Sequence, residues 1–210
     1  HNINFSIIPL EGKNHIYINF SHNCYDKNYR IKTLLVHYDR FGSSPGANDN
    51  SAAVFQVLNW ICNNSVEVHN MRIFFTDGEE LGFSTTTSNP QEGILQGSFF
   101  IAQIFKRLGI VNDDIIVLDC CGRGETLVVS TAGKDTLPNS NIQFNKKFNS
   151  VYEYVIELAK QTSAQNWITA PVPYGDNAGF ISQGIPAVAV TVLPKQEATE
   201  YLRNLQKNKN

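Results

Sequence analysis

Two adjacent carboxylates, Glu79 and Glu80, follow a strongly apolar run in the segment Phe74-Phe75-Thr76-Asp77-Gly78-Glu79-Glu80-Leu81-Gly82. Adjacent acids repel each other and are costly near a core, so a nearby cation would stabilise them. Further acids and one histidine also come at or just after the end of apolar runs: His37, Asp39, Asp49 and Asp119. Carboxylate oxygens and an imidazole nitrogen suit zinc or a similar divalent ion. These residue types therefore predict a metal-dependent hydrolase.

The spacing of these residues indicates how they divide the chemistry. His37 leaves an apolar run, and Asp39, two residues on, can orient the imidazole through a hydrogen bond. Glu79 and Glu80 point different ways, so one can bind a metal while the other faces a bound water. A metal lowers the pKa of such a water to roughly 7, and a carboxylate can then accept its proton.

Each of these residues also has an interpretation without chemistry. The two glutamates can form an exposed acidic turn. Asp49 can be a helix cap, and Asp119 can be a turn former at a strand end. His37 alone reads more readily as a core histidine. Their common placement at the ends of strands favours the metal site over these separate explanations.

Alternating apolar runs and amphipathic stretches predict the elements that position these residues. The predicted strands are 2–9, 15–20, 31–36, 71–75, 115–118, 126–130 and 187–192. The predicted helices are 49–63, 98–108, one around 148–158 and 197–206. Long loops are expected at 83–97 and 131–144, and these would set substrate specificity. A proline- and glycine-bearing loop is expected at 170–176, where Tyr174 either lines a substrate cleft or packs the loop.

Strands that alternate with helices predict an α/β fold, a three-layer α/β/α sandwich with a central mixed, mostly parallel sheet. The first two strands are expected to add an antiparallel edge. With 210 residues and no visible linker or repeat, a single domain over residues 1–210 is expected. Ligands of open α/β sheets bind outside the carboxyl ends of the strands, where the acids fall.

Composition narrows the classes of partner. A formal net charge of -2 gives no basic surface for nucleic acid, so no nucleic-acid partner is expected. No apolar run is long enough to span a membrane. The chain starts at His1 without a Met, so the working expectation of a cytoplasmic protein leaves export open. The oligomeric state stays open as well.

The four cysteines form no CxxC motif, and free thiols are expected. Cys120 and Cys121 follow an apolar run directly and favour this interpretation. Cys24 and Cys62 can be bridged only if the fold brings them together. Arg123, just past Asp119, either binds a substrate carboxylate or belongs to a turn.

The chain resembles the M28 family of zinc aminopeptidases, which also contains the glutaminyl cyclases. The resemblance runs from about Ile31 to Pro194. It is carried by the order and spacing of several short motifs: His37-Tyr38-Asp39, Pro45-Gly46-Ala47-Asn48-Asp49-Asn50, Asp77-Gly78-Glu79-Glu80-Leu81-Gly82, Leu118-Asp119 and Gly184-Ile185-Pro186-Ala187.

The resemblance implies a role for each matched residue. His37 and Asp119 would bind one metal, and Asp49 would bridge to a second. Glu80 would bind the second metal, Glu79 would be the general base, and Asp39 would support His37. The implied cofactor is zinc, as one or two ions, and the implied partner is a peptide substrate.

One motif departs from the family pattern. The family has Ser-Asp-His where this chain reads Gly175-Asp176-Asn177, so Asn177 stands at the last metal ligand. An amide offers zinc only a weak, neutral carbonyl oxygen. The metal site formed by His37, Asp49 and Asp119 keeps all its ligands, whereas the second metal site is weakened. The cyclases retain that second site, so the departure argues against cyclase activity.

Three functions follow from these motifs. The favoured prediction is a metal-dependent exopeptidase, of aminopeptidase type, that acts on short peptides. The alternative is a catalytically impaired M28-like domain that binds a peptide or one metal without turnover. A glutaminyl cyclase is the third.

Overall fold

The computed structural model of the protein describes residues 3–20, 26, 28–64, 70–81, 96–134, 141–163, 166–173 and 175–207. Eight strands form one sheet in the order β1-β2-β4-β3-β5-β8-β6-β7. The strands are β1 Phe5–Leu10, β2 Lys13–Asn19, β3 Lys32–His37, β4 Met71–Thr76, β5 Asp114–Leu118, β6 Thr126–Ser130, β7 Trp167–Ala170 and β8 Ala187–Leu193.

The sheet is mixed, with a parallel centre. Strands β4, β3, β5 and β8 pair in parallel, and β6 pairs with β7 in parallel. The predicted antiparallel edge is confirmed, because β1 pairs with β2 and β2 with β4 in that sense. A second antiparallel pairing, between β6 and β8, was not predicted from the sequence.

Helices cover both faces of the sheet. They are α1 Ala52–Asn64, α2 Gly97–Arg107, α3 Ile142–Ser163, α4 Asn177–Ser182 and α5 Lys195–Lys207. Leu35 and Val117 pack with α2 and α4, whereas Val36 packs with α1. Because successive strand residues face opposite sides, α1 lies across the sheet from α2 and α4. The α/β sandwich is therefore confirmed.

The structure corrects several predicted boundaries. Strand β7 and helix α4 fall around the predicted loop 170–176 and were missed, because both are short. The loop predicted to reach residue 144 ends earlier, since α3 begins at Ile142 and Phe144 is buried within it. The predicted helix from Asp49 begins at Ala52, after a helical turn over Ala47–Ser51 in which Asp49 has non-helical dihedral angles.

Some predictions lie outside the described residues. They concern Cys24, Tyr174 and most of the loop predicted at 83–97. Among the helices that the structure describes, none is long and apolar enough to cross a membrane.

Candidate metal centre and catalytic site

The candidate site lies at the carboxyl ends of the three adjacent central strands β4, β3 and β5. His37 ends β3 and pairs in register with Thr76, the last residue of β4. Asp119 follows β5, and the glutamate pair follows β4. Parallel strands present their carboxyl ends at one edge, so residues far apart in sequence meet there. The fold thus gathers the predicted site residues along one edge of the sheet.

Three of the predicted ligands form a compact cluster. His37, Asp49 and Asp119 each offer one ligand atom, and these atoms lie within 4.8 Å of one another. His37 Nε2 is 3.0 Å from Asp49 Oδ1 and 3.4 Å from Asp119 Oδ1. Burial lowers the pKa of His37, but the carboxylates of Asp119, Asp39 and Asp49 outweigh burial and raise it. The cluster is therefore a concentrated negative site around one imidazole.

The side chains before α1 fix Asp49 by tying its loop to β5. Asn48 Oδ1 accepts a hydrogen bond from Gly122 N–H at 2.9 Å, and Asn50 Nδ2 donates to Leu118 O at 2.9 Å. Asn48 is thus engaged with the loop after β5 rather than with a helix end, and the Asp49 carboxylate turns toward His37. Asp49 Oδ1 lies 3.0 Å from His37 Nε2, which disfavours the interpretation of Asp49 as a helix cap.

Asp39 joins His37 to the glutamate turn. Its Oδ1 lies 3.4 Å from His37 Nδ1. The same carboxylate accepts hydrogen bonds from Glu79 N–H at 3.2 Å and from Glu80 N–H at 3.0 Å. Burial raises the pKa of Asp39, but its hydrogen bonds to His37, Glu80 and Glu79 lower it overall. Asp39 therefore stays ionised and holds two parts of the site in one geometry.

Glu79 and Glu80 differ in their surroundings. Glu79 is flanked by other acids, and burial, with the charges of Asp176 and Asp119, raises its pKa to about 8. Burial and the charge of Asp49 raise the pKa of Glu80. His37, Glu79 and Glu80 form a second group of possible ligands within 4.8 Å. The turn that presents them is possible because Gly78 adopts φ +81°, a conformation that L side chains disfavour.

Asn177 begins α4 and is fully buried. Its Oδ1 accepts a hydrogen bond from Gly175 N–H at 3.0 Å, so this oxygen is already engaged. The neighbouring Asp176 is also fully buried and accepts a short hydrogen bond from Thr76 Oγ1. Burial raises the pKa of Asp176 to about 6, although Thr76 and His37 act in the opposite direction. The segment lies beside the site, because a Cβ on Gly175 would be 3.0 Å from Asp119 Oδ2.

A cavity of about 520 Å³ opens beside the acids. Asp49, Glu79 and Asp119 line one side of it. The remaining wall is mostly apolar and includes side chains that the sequence did not indicate as site residues: Cys120, Val172, Pro173, Ala189, Val190, Thr191, Leu193, Glu197 and Tyr201. Helix α5 supplies the last two, and no local motif in the sequence indicates that a terminal helix reaches the site.

Arg123 and the adjacent cysteines Cys120 and Cys121 follow Asp119, and their surroundings favour structural roles. Arg123 makes a two-pronged ion pair with Glu197, with both nitrogen–oxygen distances 2.7 Å. This pairing favours the structural interpretation of Arg123. Cys120 and Cys121 are free thiols, and burial together with the charge of Asp119 raises the pKa of both. Raised values keep the thiols protonated, which disfavours a nucleophilic role.

The donor set fits a zinc ion at the His37, Asp49 and Asp119 cluster. One imidazole nitrogen and two carboxylates are typical protein ligands of zinc, and three such ligands leave a position for a water or a substrate. Asp49 Oδ1 and Asp119 Oδ1 both face the single nitrogen His37 Nε2, at 3.0 Å and 3.4 Å. Two carboxylates this close to each other repel, and a bound cation would compensate their charges.

Comparison with known proteins gives the family to which this fold and this donor set belong. The profile of peptidase family M28 matches residues 25–206. The chain belongs to peptidase family M28. No curated protein sequence matches the chain significantly.

Several solved structures share the fold at low sequence identity. An aminopeptidase, LapA, from Legionella pneumophila superposes with a TM-score of 0.60 at 14% identity, over 92% of this chain and 48% of that one. A zinc aminopeptidase from Bacillus subtilis gives 0.57 at 19% identity, over 85% and 39%. A glutaminyl cyclase from an Acidobacteriales bacterium gives 0.57 at 15% identity, over 91% and 63%. The chain thus spans 39 to 63% of the length of these three proteins.

Proposed function

We propose that the chain is a zinc-dependent exopeptidase of aminopeptidase type that hydrolyses short peptides and holds one zinc ion firmly. The observation that carries this proposal is the convergence of His37, Asp49 and Asp119 beside Glu79 at the wall of a cavity of about 520 Å³. The zinc aminopeptidase from Bacillus subtilis and the aminopeptidase LapA, which share the fold, support the choice of reaction. The mostly apolar wall of the cavity favours peptides with an apolar first residue.

In this proposal each residue keeps a distinct task. Zinc would be held by His37, Asp49 and Asp119, and it supplies Lewis-acid polarisation of the scissile carbonyl and of the attacking water. Glu79 accepts the proton of that water at a carboxylate oxygen and passes it to the leaving amine. Burial and the neighbouring acids raise the pKa of Glu79 above the usual range of a carboxyl group, which makes its carboxylate a stronger base for the first step.

Asn177 supports one firm ion rather than two. A second ion would depend on Glu80 and a shared Asp49, and the oxygen of Asn177 already accepts the Gly175 hydrogen bond. The same observation favours a second candidate function, a domain that binds a peptide or one metal ion without turnover. Zinc content and turnover, measured on one preparation, separate the two.

The test is to load the protein with zinc and measure bound metal and hydrolysis of aminoacyl p-nitroanilides. Glu79→Gln is expected to keep its zinc and to lose about a hundredfold or more in kcat, since general-base catalysis is removed. Glu153→Gln, an exposed glutamate on α3, is the matched control and should be fully active. Undiminished turnover by Glu79→Gln would refute the role of Glu79. Bound zinc without turnover in the unaltered chain would favour the binding domain, and ammonia release from peptides with N-terminal Gln would favour a cyclase.

A further inference from the structure

Gln96 is a buried polar side chain in direct contact with Glu79. It immediately precedes α2, and only 1% of its surface is exposed. Its Nε2 donates a hydrogen bond to Glu79 Oε1 at 3.3 Å. Its Oε1 is buried and has no hydrogen-bond partner in the part of the chain that the structure describes. Burying an amide whose oxygen has no hydrogen-bond partner costs free energy. Such a residue is unusual unless its NH₂ group makes a hydrogen bond that the protein needs.

The backbone around Gln96 is fastened to the turn that carries the glutamate pair. Gly97 N–H donates to Gly78 O at 3.1 Å, and Phe99 N–H donates to Gln96 O at 3.2 Å. Gly97 packs so closely on the turn that a Cβ there would overlap the carbonyl of Asp77. The backbone segments that carry Gln96 and Glu79 are therefore held close together.

The charges around Glu79 show why such a donor is needed. The carboxylates of Asp176, Asp119 and Glu80 all raise the pKa of Glu79, because nearby like charges disfavour its ionised form. Among the side-chain hydrogen bonds of the described residues, the one that Glu79 Oε1 accepts comes from Gln96. Because the Gln96 amide is uncharged, it attracts the Glu79 carboxylate without repelling a cation bound nearby.

We propose that Gln96 is a positioning residue, which holds Glu79 Oε1 so that the other carboxylate oxygen faces the reacting water. The proposal rests on the proposed peptidase function and deepens it. Gln96 does not touch the substrate in this scheme. It acts through the rotamer of Glu79, so its loss affects turnover rather than metal or substrate binding.

The test compares Gln96→Met and Gln96→Glu with Gln103→Met, which makes the same change at an exposed site on α2. Methionine keeps the length but removes the donor, and glutamate replaces the donor with a like charge. Both Gln96 variants are expected to lose about 10- to 100-fold in kcat, with KM and bound zinc unchanged, the size typical of groups that orient a functional side chain. Gln103→Met should match the unaltered protein. A merely structural role would lower Tm and leave kcat per folded molecule unchanged, which would overturn the proposal.

A second measurement does not depend on activity. Denaturant unfolding of Gln96→Met, Glu79→Gln and the double variant is expected to give non-additive midpoint shifts, because the two side chains share a contact. Additive shifts would show that the contact is absent and would overturn the proposal. If the unaltered chain binds zinc but turns over no peptide, the peptidase function fails and the positioning role fails with it. The midpoints then still report whether the contact exists.

Discussion

The carboxylate of Asp39 accepts a hydrogen bond from the backbone N–H of Glu80 at 3.0 Å, and this bond fixes the turn that presents both site glutamates. Its other oxygen accepts from Glu79 N–H and lies 3.4 Å from His37 Nδ1. One side chain thus orients an imidazole and a pair of acids that come from different strands. Asp39 was predicted to support His37, and its bonds to the turn are the larger part of its contacts.

Asp39→Asn is expected to reduce kcat/KM by about 10- to 100-fold and to weaken zinc binding by a similar factor, as loss of an orienting carboxylate does. An amide keeps only one acceptor oxygen, so its NH₂ group faces either His37 or one of the backbone N–H groups. Peptide turnover and a zinc titration with a competing chelator measure the two effects.

Asp77→Asn is the matched control for Asp39→Asn. Asp77 belongs to the same turn, but its carboxylate accepts from Asn14 N–H at 2.9 Å and does not hold the glutamates. This variant should keep its turnover and its zinc. If both variants lose turnover equally, the turn as a whole is sensitive, and the specific role of Asp39 is wrong.

The sequence predicts the parallel centre of the fold and the acids at its carboxyl edge because both depend on local patterns. Apolar runs mark the buried strands, and polar residues follow them directly. The contact of Gln96 with Glu79 and the reach of α5 into the cavity could not be predicted this way. They depend on how separate elements pack, and neither Gln96 nor Glu197 lies in a motif that indicates its neighbour.

Asn177→His is expected to raise the zinc content of soaked protein from one ion to two per chain. An imidazole supplies the strong nitrogen ligand that an amide lacks. Mass spectrometry of the metal content measures the change, with Asn177→Ala as the control that removes the amide without adding a ligand. Two ions in the unaltered chain, or one ion in the His variant, would contradict a second site limited by Asn177.

Gly97→Ala is expected to lower the free energy of unfolding by about 3 kcal/mol, because the new methyl group overpacks a site with no space. The Cβ would overlap the carbonyl of Asp77 and lie 2.6 Å from His15 Cε1. Gly184→Ala is the control, since nothing lies within 4 Å of its Cβ and only the positive φ of +77° is costly. That strain costs about 1 kcal/mol. Equal losses in denaturant titrations would show that the turn does not pack on α2 as described.

His15 is fully buried, and its hydrogen bond fixes its charge. Its Nδ1 accepts from Asp77 N–H at 3.2 Å, so the ring proton must lie on Nε2 and the imidazole is neutral. Burial lowers the pKa of His15 to about 4, with a smaller contribution from Lys13 and against the attraction of Asp77. A proton on Nδ1 would break the bond to Asp77, which adds to the cost of charging the ring.

A lowered histidine pKa makes the folded state lose stability in acid. Below pH 6.5, the ordinary pKa of histidine, His15 is protonated in the unfolded chain. In the folded chain it takes up the proton only near pH 4. The titration of His15 should therefore lower the free energy of unfolding by about 3 kcal/mol between pH 7 and pH 4. His15→Asn keeps an acceptor near the Nδ1 position but does not titrate. When urea unfolding is measured across this pH range, the free energies of unfolding of the two proteins should converge as the pH falls. Parallel curves would show that the pKa of His15 is the same in the folded and the unfolded chain.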